Sequence, residues 1–219
     1  MLAQLADSEL QAVVSKCVVC RLSKGKQILS AKDDTKDLFF ILEGRAQVKN
    51  YSRYGRELIY SEIGSGGLFG EFAAIDGMPR AADVWALEDT IVARLGSADL
   101  LSLMREHFVL ALELLKLLTA KSRALSDGLM QRIVLSAHNR MHIELARLAV
   151  DGQHDGPSAI IRPAPTHYEI AARVGSHREA VTKELNRLEA QGYVQLGRGQ
   201  IVIVDEQRFR NDLVDAVLV

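Results

Sequence analysis

Two stretches of the chain carry side chains whose types and spacing can do chemistry. The first is Gly67-Leu68-Phe69-Gly70-Glu71-Phe72, followed beyond Asp76-Gly77 by Met78-Pro79-Arg80-Ala81-Ala82. A single helical turn starting near Gly70 and Glu71 leaves amides without intrahelical partners, and these favour an anion. Arg80 returns after the turn and can add a bidentate, charge-assisted contact to a phosphate. Glu71 can then accept a hydrogen bond from a ribose 2′-hydroxyl. The competing reading of the same residues is a structural ion pair between Glu71 and Arg80.

The second stretch is a polar helix, His177 to about Gln191, preceded by a shorter helix, HYEIAARV, that stops at Gly175. Ile170, Ala171, Val174, Val181, Leu185 and Leu188 lie where the two helices pack together, leaving His177, Arg178, Glu179, Thr182, Lys183 and Asn186 on the outer face. Arg can grip guanine O6 and N7, Lys can reach the same edge, and Glu can accept from cytosine N4. Arg173, Arg187 and Arg198, with His167, are available to hold phosphates around such a base-reading face. A solvated helix face laced with ion pairs is the alternative, and Glu179 to Lys183 has the favourable order and spacing for one.

Other constellations carry less. Gly64 to Gly70 has glycines misplaced for a dinucleotide or P-loop fingerprint, and no Lys-Ser/Thr follows. His138 and His142 stand four apart on a helix, but the Glu of a zincin and a third ligand are missing, so both are read as structural and no metal is expected. Cys17 and Cys20 have the spacing of a zinc or redox pair with no second pair to complete it, and are read as inert, partly buried residues. No nucleophile, base and orienting group can be assembled, so an enzyme is not expected.

The elements that must position these groups follow from periodicity. A short helix from Asp7 to about Lys16, with Asp7 or Ser8 as cap, precedes eight short runs between Cys17 and Gly96: VVCRL, KQILS, DLFFIL, AQVKNYS, ELIYSEI, GLF, ADVWAL and TIVARL. Turn formers separate them, among them Lys24-Gly25, Glu43-Gly44, Tyr54-Gly55 and Asp76-Gly77. This spacing suggests a small antiparallel barrel or jelly roll. Ser97 is a plausible cap for the helix SADLLSLMRE. A long helix from about Phe108 to Ser136 carries Ala111, Leu115, Leu118, Ser122, Leu125, Leu129 and Arg132 at alternating spacings of four and three. That stripe predicts a parallel homodimer; packing on the chain's own barrel is the alternative.

A helix from about His138 to Val150 follows, then a stretch holding Pro157, Pro163 and Pro165 that reads as a loop. Ser176 is read as the cap of the polar helix. YVQL and QIVIV around Gly197-Arg198-Gly199 form a hairpin, and a last helix runs from about Glu206 to Val217. Two helices across a glycine turn, then a hairpin, are the parts of a winged helix-turn-helix.

At 219 residues, 48% hydrophobic and 25% charged, the chain is long enough for two small domains with their own cores. No run is long enough to span a membrane, and the N-terminus has no basic leader before an apolar stretch, so a cytoplasmic location is expected. Net charge is −1, and residues 138–219 hold 10 Lys plus Arg against 11 Asp plus Glu. DNA binding must therefore depend on where a few charges stand rather than on a basic excess.

The order of parts resembles one family. A barrel with FGE…PRAA, a long helix and a winged helix-turn-helix with RExVxxxL from Arg178 to Leu185 are similar to the cyclic AMP receptor protein branch of the bacterial regulators that include the fumarate and nitrate reduction regulator. The resemblance covers essentially the whole chain. It implies an α+β architecture: an N-terminal cyclic-nucleotide-binding β-roll (jelly roll) over 1–107, a dimerisation helix over 108–136 and a winged helix-turn-helix DNA-binding domain over 137–219.

It also implies roles for the matching residues. Gly70 and Glu71 bind the nucleotide, Glu71 through the ribose, with Phe72 beside them; Arg80 binds the cyclic phosphate and Ala81 adds its amide. Alanine rather than Ser or Thr at Ala81 is similar to the cyclic AMP sites of protein kinase regulatory subunits, which points to cyclic AMP over cyclic GMP. Leu125 and Ser126 fall where the receptor protein uses a Thr-Ser pair to hold adenine from both subunits, and only the serine is kept. Arg178 and Glu179 match the family's guanine and cytosine readers, and Lys183 stands where the family often has a second arginine. Leu115, Leu118, Ser122, Leu125 and Leu129 would form the dimer seam.

The implied protein is a cyclic AMP-responsive transcription regulator, a homodimer on palindromic double-stranded DNA with RNA polymerase as a further partner. Two other readings stay open: a DNA-binding regulator whose barrel is a scaffold or senses another molecule, and a regulatory subunit that controls a partner enzyme.

Overall fold

The computed structural model describes residues 5–51 and 57–218; the turn read at Tyr54-Gly55 and the side chains of Gln131, Arg132 and Leu218 lie outside the described residues. The chain divides within its long helix into two compact units, Met1–Ala124 and Leu125–Val219.

The first unit starts with α1 (Asp7–Ser15). Its cap is Ala6 rather than Asp7 or Ser8, and the Glu9 carboxylate accepts the Ala6 amide at 2.9 Å. The glutamate, reaching back from the first turn, satisfies the cap residue's own amide, while alanine offers no side-chain acceptor to the first-turn amides. Eight strands follow: β1 (Val18–Leu22), β2 (Gln27–Leu29), β3 (Leu38–Glu43), β4 (Ala46–Tyr51), β5 (Glu57–Ile63), β6 (Leu68–Phe69), β7 (Asp83–Ala86) and β8 (Thr90–Leu95). They pair antiparallel in two four-stranded sheets, β1-β8-β3-β6 and β2-β7-β4-β5.

The unbroken run Leu38-Phe39-Phe40-Ile41 is explained by burial on both faces of β3. Phe39 and Ile41 join Leu29, Ala46, Phe69, Val84 and Val92 in a core shared by the two sheets. Leu38 and Phe40 face the opposite way, into a core completed by Val13, Ala74, Leu100 and Leu103 from helices. These helices are α1, α2 (Glu71–Asp76) and α3 (Ser97–Glu106), followed by α4 (Phe108–Val134), whose Leu110 and Leu114 enter the same core. Ser97 is not the cap of α3. Gly96 takes that position in extended conformation, while Ser97 Oγ donates to the Ala74 carbonyl at 2.7 Å and ties α3 to α2.

The second unit contains α5 (Ala137–Val150), β9 (Gln153–Asp155), β10 (Ser158–Ile161), α6 (His167–Val174), α7 (Arg178–Ala190), β11 (Val194–Gly197) and β12 (Gln200–Ile203). It closes with α8 (Glu206–Phe209), a wider helical turn over Arg210–Asp215, and α9 (Ala216–Leu218), in place of one uniform final helix. The proline-rich stretch is not simply loop: β9 and β10 form a hairpin, and β10 pairs with β12 in a sheet of order β11-β12-β10-β9. Pro157 and Pro163 lie just outside β10, where a missing amide costs no ladder bond.

Thr166 caps α6, and Gly175 ends it at φ 67°. Ser176 does not cap α7. Its amide bonds back to Ala171 at 2.9 Å to finish α6, so His177 takes the cap position without a side-chain bond. One core joins α5, α6, α7 and the sheet through Leu145, Ile170, Val174, Val181, Leu185, Leu188 and Ile203.

Candidate functional site

The segment from Gly70 to Arg80 is built inward. Gly70 has φ 83°, and a Cβ placed there would lie 2.7 Å from the Asp37 carbonyl and 2.8 Å from Arg80 Nη1. Only glycine permits both this backbone and this approach. Arg80 is 5% exposed although charged. Its Nη1 donates to the Gly70 carbonyl at 3.0 Å and its Nε to Thr35 Oγ1 at 3.2 Å, with the guanidinium 6.0 Å over the Phe39 ring. Burial pushes its pKa below the ordinary value, opposed by Asp37, Asp33 and Glu71; an arginine stays charged regardless. Buried Nη2 has no hydrogen-bond partner among the described residues. A buried guanidinium with a spare donor fits a phosphate oxygen.

Glu71 opens α2 and is also 5% exposed. The ion pair between Glu71 and Arg80 is not what the structure shows. Lys121 of α4 donates to Glu71 Oε1 at 2.7 Å instead. Neither Lys121 nor Thr35 stands out in the sequence, because a lysine on a long helix and a threonine in an irregular loop carry no mark of a distant partner. Phe72 and Ala81 are exposed, and the Ala81 carbonyl accepts from Asn50 at 3.4 Å. Leu125 and Ser126 are exposed on α4.

In the second unit the packing between α6 and α7 is as read from the sequence, with Ile170, Ala171, Val174, Val181, Leu185 and Leu188 all buried. His177, Arg178, Glu179, Lys183, Asn186 and Arg187 are exposed on α7, as is Arg198 at the turn between β11 and β12. Thr182 is half-buried, its hydroxyl bonded to the Arg178 carbonyl at 3.0 Å and lying 2.8 Å from His167 Nδ1. Two of the cations assigned to phosphates hold acids within the domain: Arg173 pairs with Glu144 at 3.4 Å, and Arg187 with Glu184. Glu184 escaped the sequence reading because a glutamate in a polar helix looks like solvated surface. Its Oε1 lies 2.7 Å from His142 Nε2, which gives that histidine a structural partner.

Comparison with known proteins agrees with this two-part layout. Residues 19–107 match the family model of a cyclic nucleotide-binding domain, and residues 139–211 that of a Crp-like helix-turn-helix domain. The cyclic AMP receptor protein of Thermus thermophilus is 31% identical over 199 residues, covering 91% of this chain and 89% of its own. The chain belongs to the cyclic AMP receptor protein family. Members of this family are transcription regulators, and this member pairs a cyclic nucleotide-binding domain with a DNA-binding helix-turn-helix.

Solved structures show the family fold at lower identity. The Thermus thermophilus catabolite activator protein is 29% identical with a TM-score of 0.56, covering 97% of each chain. The regulator CLP of Xanthomonas campestris, described as responsive to c-di-GMP, has a TM-score of 0.75 at 18% identity, covering 90% of this chain and 99% of its own. At that identity the likeness is one of fold. No helix among the described residues is long and apolar enough to cross a membrane.

Proposed function

We propose that this chain is a cyclic AMP-responsive transcription regulator that acts in the cytoplasm as a homodimer on a palindromic DNA site, with RNA polymerase as its further partner. The observation that carries the nucleotide reading is the buried Arg80, bonded to the Gly70 carbonyl at 3.0 Å and keeping one guanidinium nitrogen without a partner. Arg80 holds the cyclic phosphate, the amide of Ala81 adds to it, and Glu71 accepts from the ribose hydroxyl beside Gly70 and Phe72. Ser126 and Leu125 contact the base. Alanine at Ala81 and the name of the 31% identical relative favour cyclic AMP.

The dimer reading is supported by the two faces of α4. Leu110 and Leu114 are each 1% exposed, whereas Leu115, Leu125 and Leu129 on the heptad stripe are 57%, 62% and 60% exposed. A stripe that the chain itself leaves uncovered suits a second copy. Leu118 and Ser122 complete the seam. Two α7 helices then enter successive major grooves about one helical turn apart, ~34 Å. Arg178, Glu179 and Lys183 read bases, Thr182 and Asn186 flank them, and His177 and Arg198 face phosphates.

Leucine rather than threonine at Leu125 favours a second reading, in which the roll senses another small molecule and the DNA function is kept. Calorimetric titration of cyclic AMP, cyclic GMP and c-di-GMP into nucleotide-free protein separates the two. Cyclic AMP binding at about one site per chain, lost in Arg80→Ala while the variant stays folded by circular dichroism, is the expected result. Heat from none of them, or unchanged affinity in Arg80→Ala, would overturn the assignment.

A further inference from the structure

The recognition helix rests on a buried carboxylate. Glu184 of α7 is 2% exposed and His142 of α5 is 3% exposed. His142 Nε2 lies 2.7 Å from Glu184 Oε1. Arg187 donates its Nε to Oε2 at 2.9 Å and its Nη2 to Oε1, and His138 Nε2 approaches Oε2 at 3.6 Å. A ring nitrogen at hydrogen-bond distance from a carboxylate carries the hydrogen, so in the neutral ring Nδ1 carries none. That Nδ1 is buried and has no hydrogen-bond partner among the described residues.

We propose that His142 and Glu184 are positioning residues for DNA recognition: their bond seats α7 on α5 and orients the base-reading face, and the seat loosens once the buried Nδ1 takes up a proton and the ring must turn to find it an acceptor. The inference rests on the DNA reading above. Protonation would put a hydrogen on Nδ1 where no acceptor meets it, which is unfavourable at a buried site.

The surroundings of the ring point the same way. From α7 it faces Glu184 and Arg187, and from its own helix His138; the C-terminal helical stretch presents the Phe209 ring, with centroids 6.2 Å apart. Arg173 of α6 is paired with Glu144, Arg210 with Glu206, and β10 brings no titratable group. Burial lowers the His142 pKa below its ordinary value; the bond to Glu184 opposes this, while Arg187 and His138 add to the lowering.

The test compares full-length wild type, His142→Gln and His142→Leu on a DNA site selected from a random pool, against unrelated DNA, between about pH 7.5 and pH 5.5. Glutamine keeps a donor for Glu184 and cannot titrate; leucine removes the donor. In wild type the ratio of specific to non-specific affinity falls on acidification, by at most about tenfold per pH unit for one linked proton. His142→Gln keeps the ratio flat, and His142→Leu has a reduced ratio already at neutral pH. The exposed His177 is common to all three proteins, so its contribution is shared across the comparison. A wild-type pH profile in His142→Gln, or an unchanged ratio in His142→Leu, would overturn the proposal. Without DNA, NMR titration must show α7 amides shifting with the His142 ring; amides that ignore the ring overturn the seat independently. A pool that yields no specific site at neutral pH counts against the DNA reading alone, and the NMR titration still decides the seat.

Discussion

Glu71 and Lys121, 50 positions apart, meet at 2.7 Å, one opening the helical turn beside Arg80 and the other on the long helix α4. The carboxylate is nearly buried, its side chain 7% exposed, while the lysine is 36% exposed. The pair holds the proposed ribose acceptor in place. Lys121→Ala leaves a buried carboxylate without its partner, which costs about 1–3 kcal/mol of stability. Nucleotide affinity is expected to fall about tenfold, equivalent to ~1.4 kcal/mol, with Lys121→Arg close to wild type. Urea unfolding and calorimetric titration of the same variants measure both.

Gly70→Ala tests the close approach around Arg80. The added methyl meets the Asp37 carbonyl and Arg80 Nη1, both under 3 Å, on a backbone with φ 83°. Strain of about 1–3 kcal/mol is expected, together with loss of nucleotide binding as Arg80 is displaced. A variant that unfolds at the wild-type urea concentration and still binds nucleotide would contradict the geometry.

Arg178→Ala removes an exposed guanidinium from the outer face of α7. A cost of about 1–3 kcal/mol at one base pair is expected, with relaxed preference there. Selection from a random pool distinguishes this from a uniform loss over all sequences, which would mark a phosphate contact.

The stability of the second unit should depend on pH in a window set by His142. Its folded pKa lies below its ordinary 6.5, so as pH falls through 6.5 the unfolded chain takes up the proton first. Stability is full above that value and is lost as pH falls toward the folded pKa, with a slope of at most about 1.4 kcal/mol per pH unit. Glu184, whose pKa is also lowered, contributes a loss only below its ordinary 4.5. Urea midpoints between about pH 7.5 and pH 5.5 should fall in wild type and flatten in His142→Gln.

What could be read from the sequence was local or periodic. Eight strand runs, the stripe on α4, the glycine stop at Gly175 and the packing residues of α6 and α7 are set by neighbours within a few positions, and pattern reveals such constraints. Pattern also placed Gly70 and Arg80 together, because one turn joins them. Lys121 on Glu71 and His142 under Glu184 were not legible, since each bond spans at least 42 positions and joins residues that look like ordinary helix surface. The same applies to β10. A four-residue strand set between prolines carries too little alternation to be declared from sequence, and partners on β12 make it one. The cap positions missed at Ala6, Gly96 and His177 share a further cause: a glutamate reaching back, a serine drawn to α2 and a serine finishing α6 each displaced the expected role.

The pairing of β10 with β12 changes what Arg198 stands on. A hairpin of two short strands is marginally stable by itself in water. Here β12 lies inside the sheet, flanked by β11 and β10, with Ile201 and Ile203 anchored in the core. The turn at Gly197-Arg198-Gly199 is thus a cantilever fixed to a four-strand plate. The proposed phosphate contact of Arg198 would then start from a backbone already fixed in place, with less ordering entropy left to lose on contact.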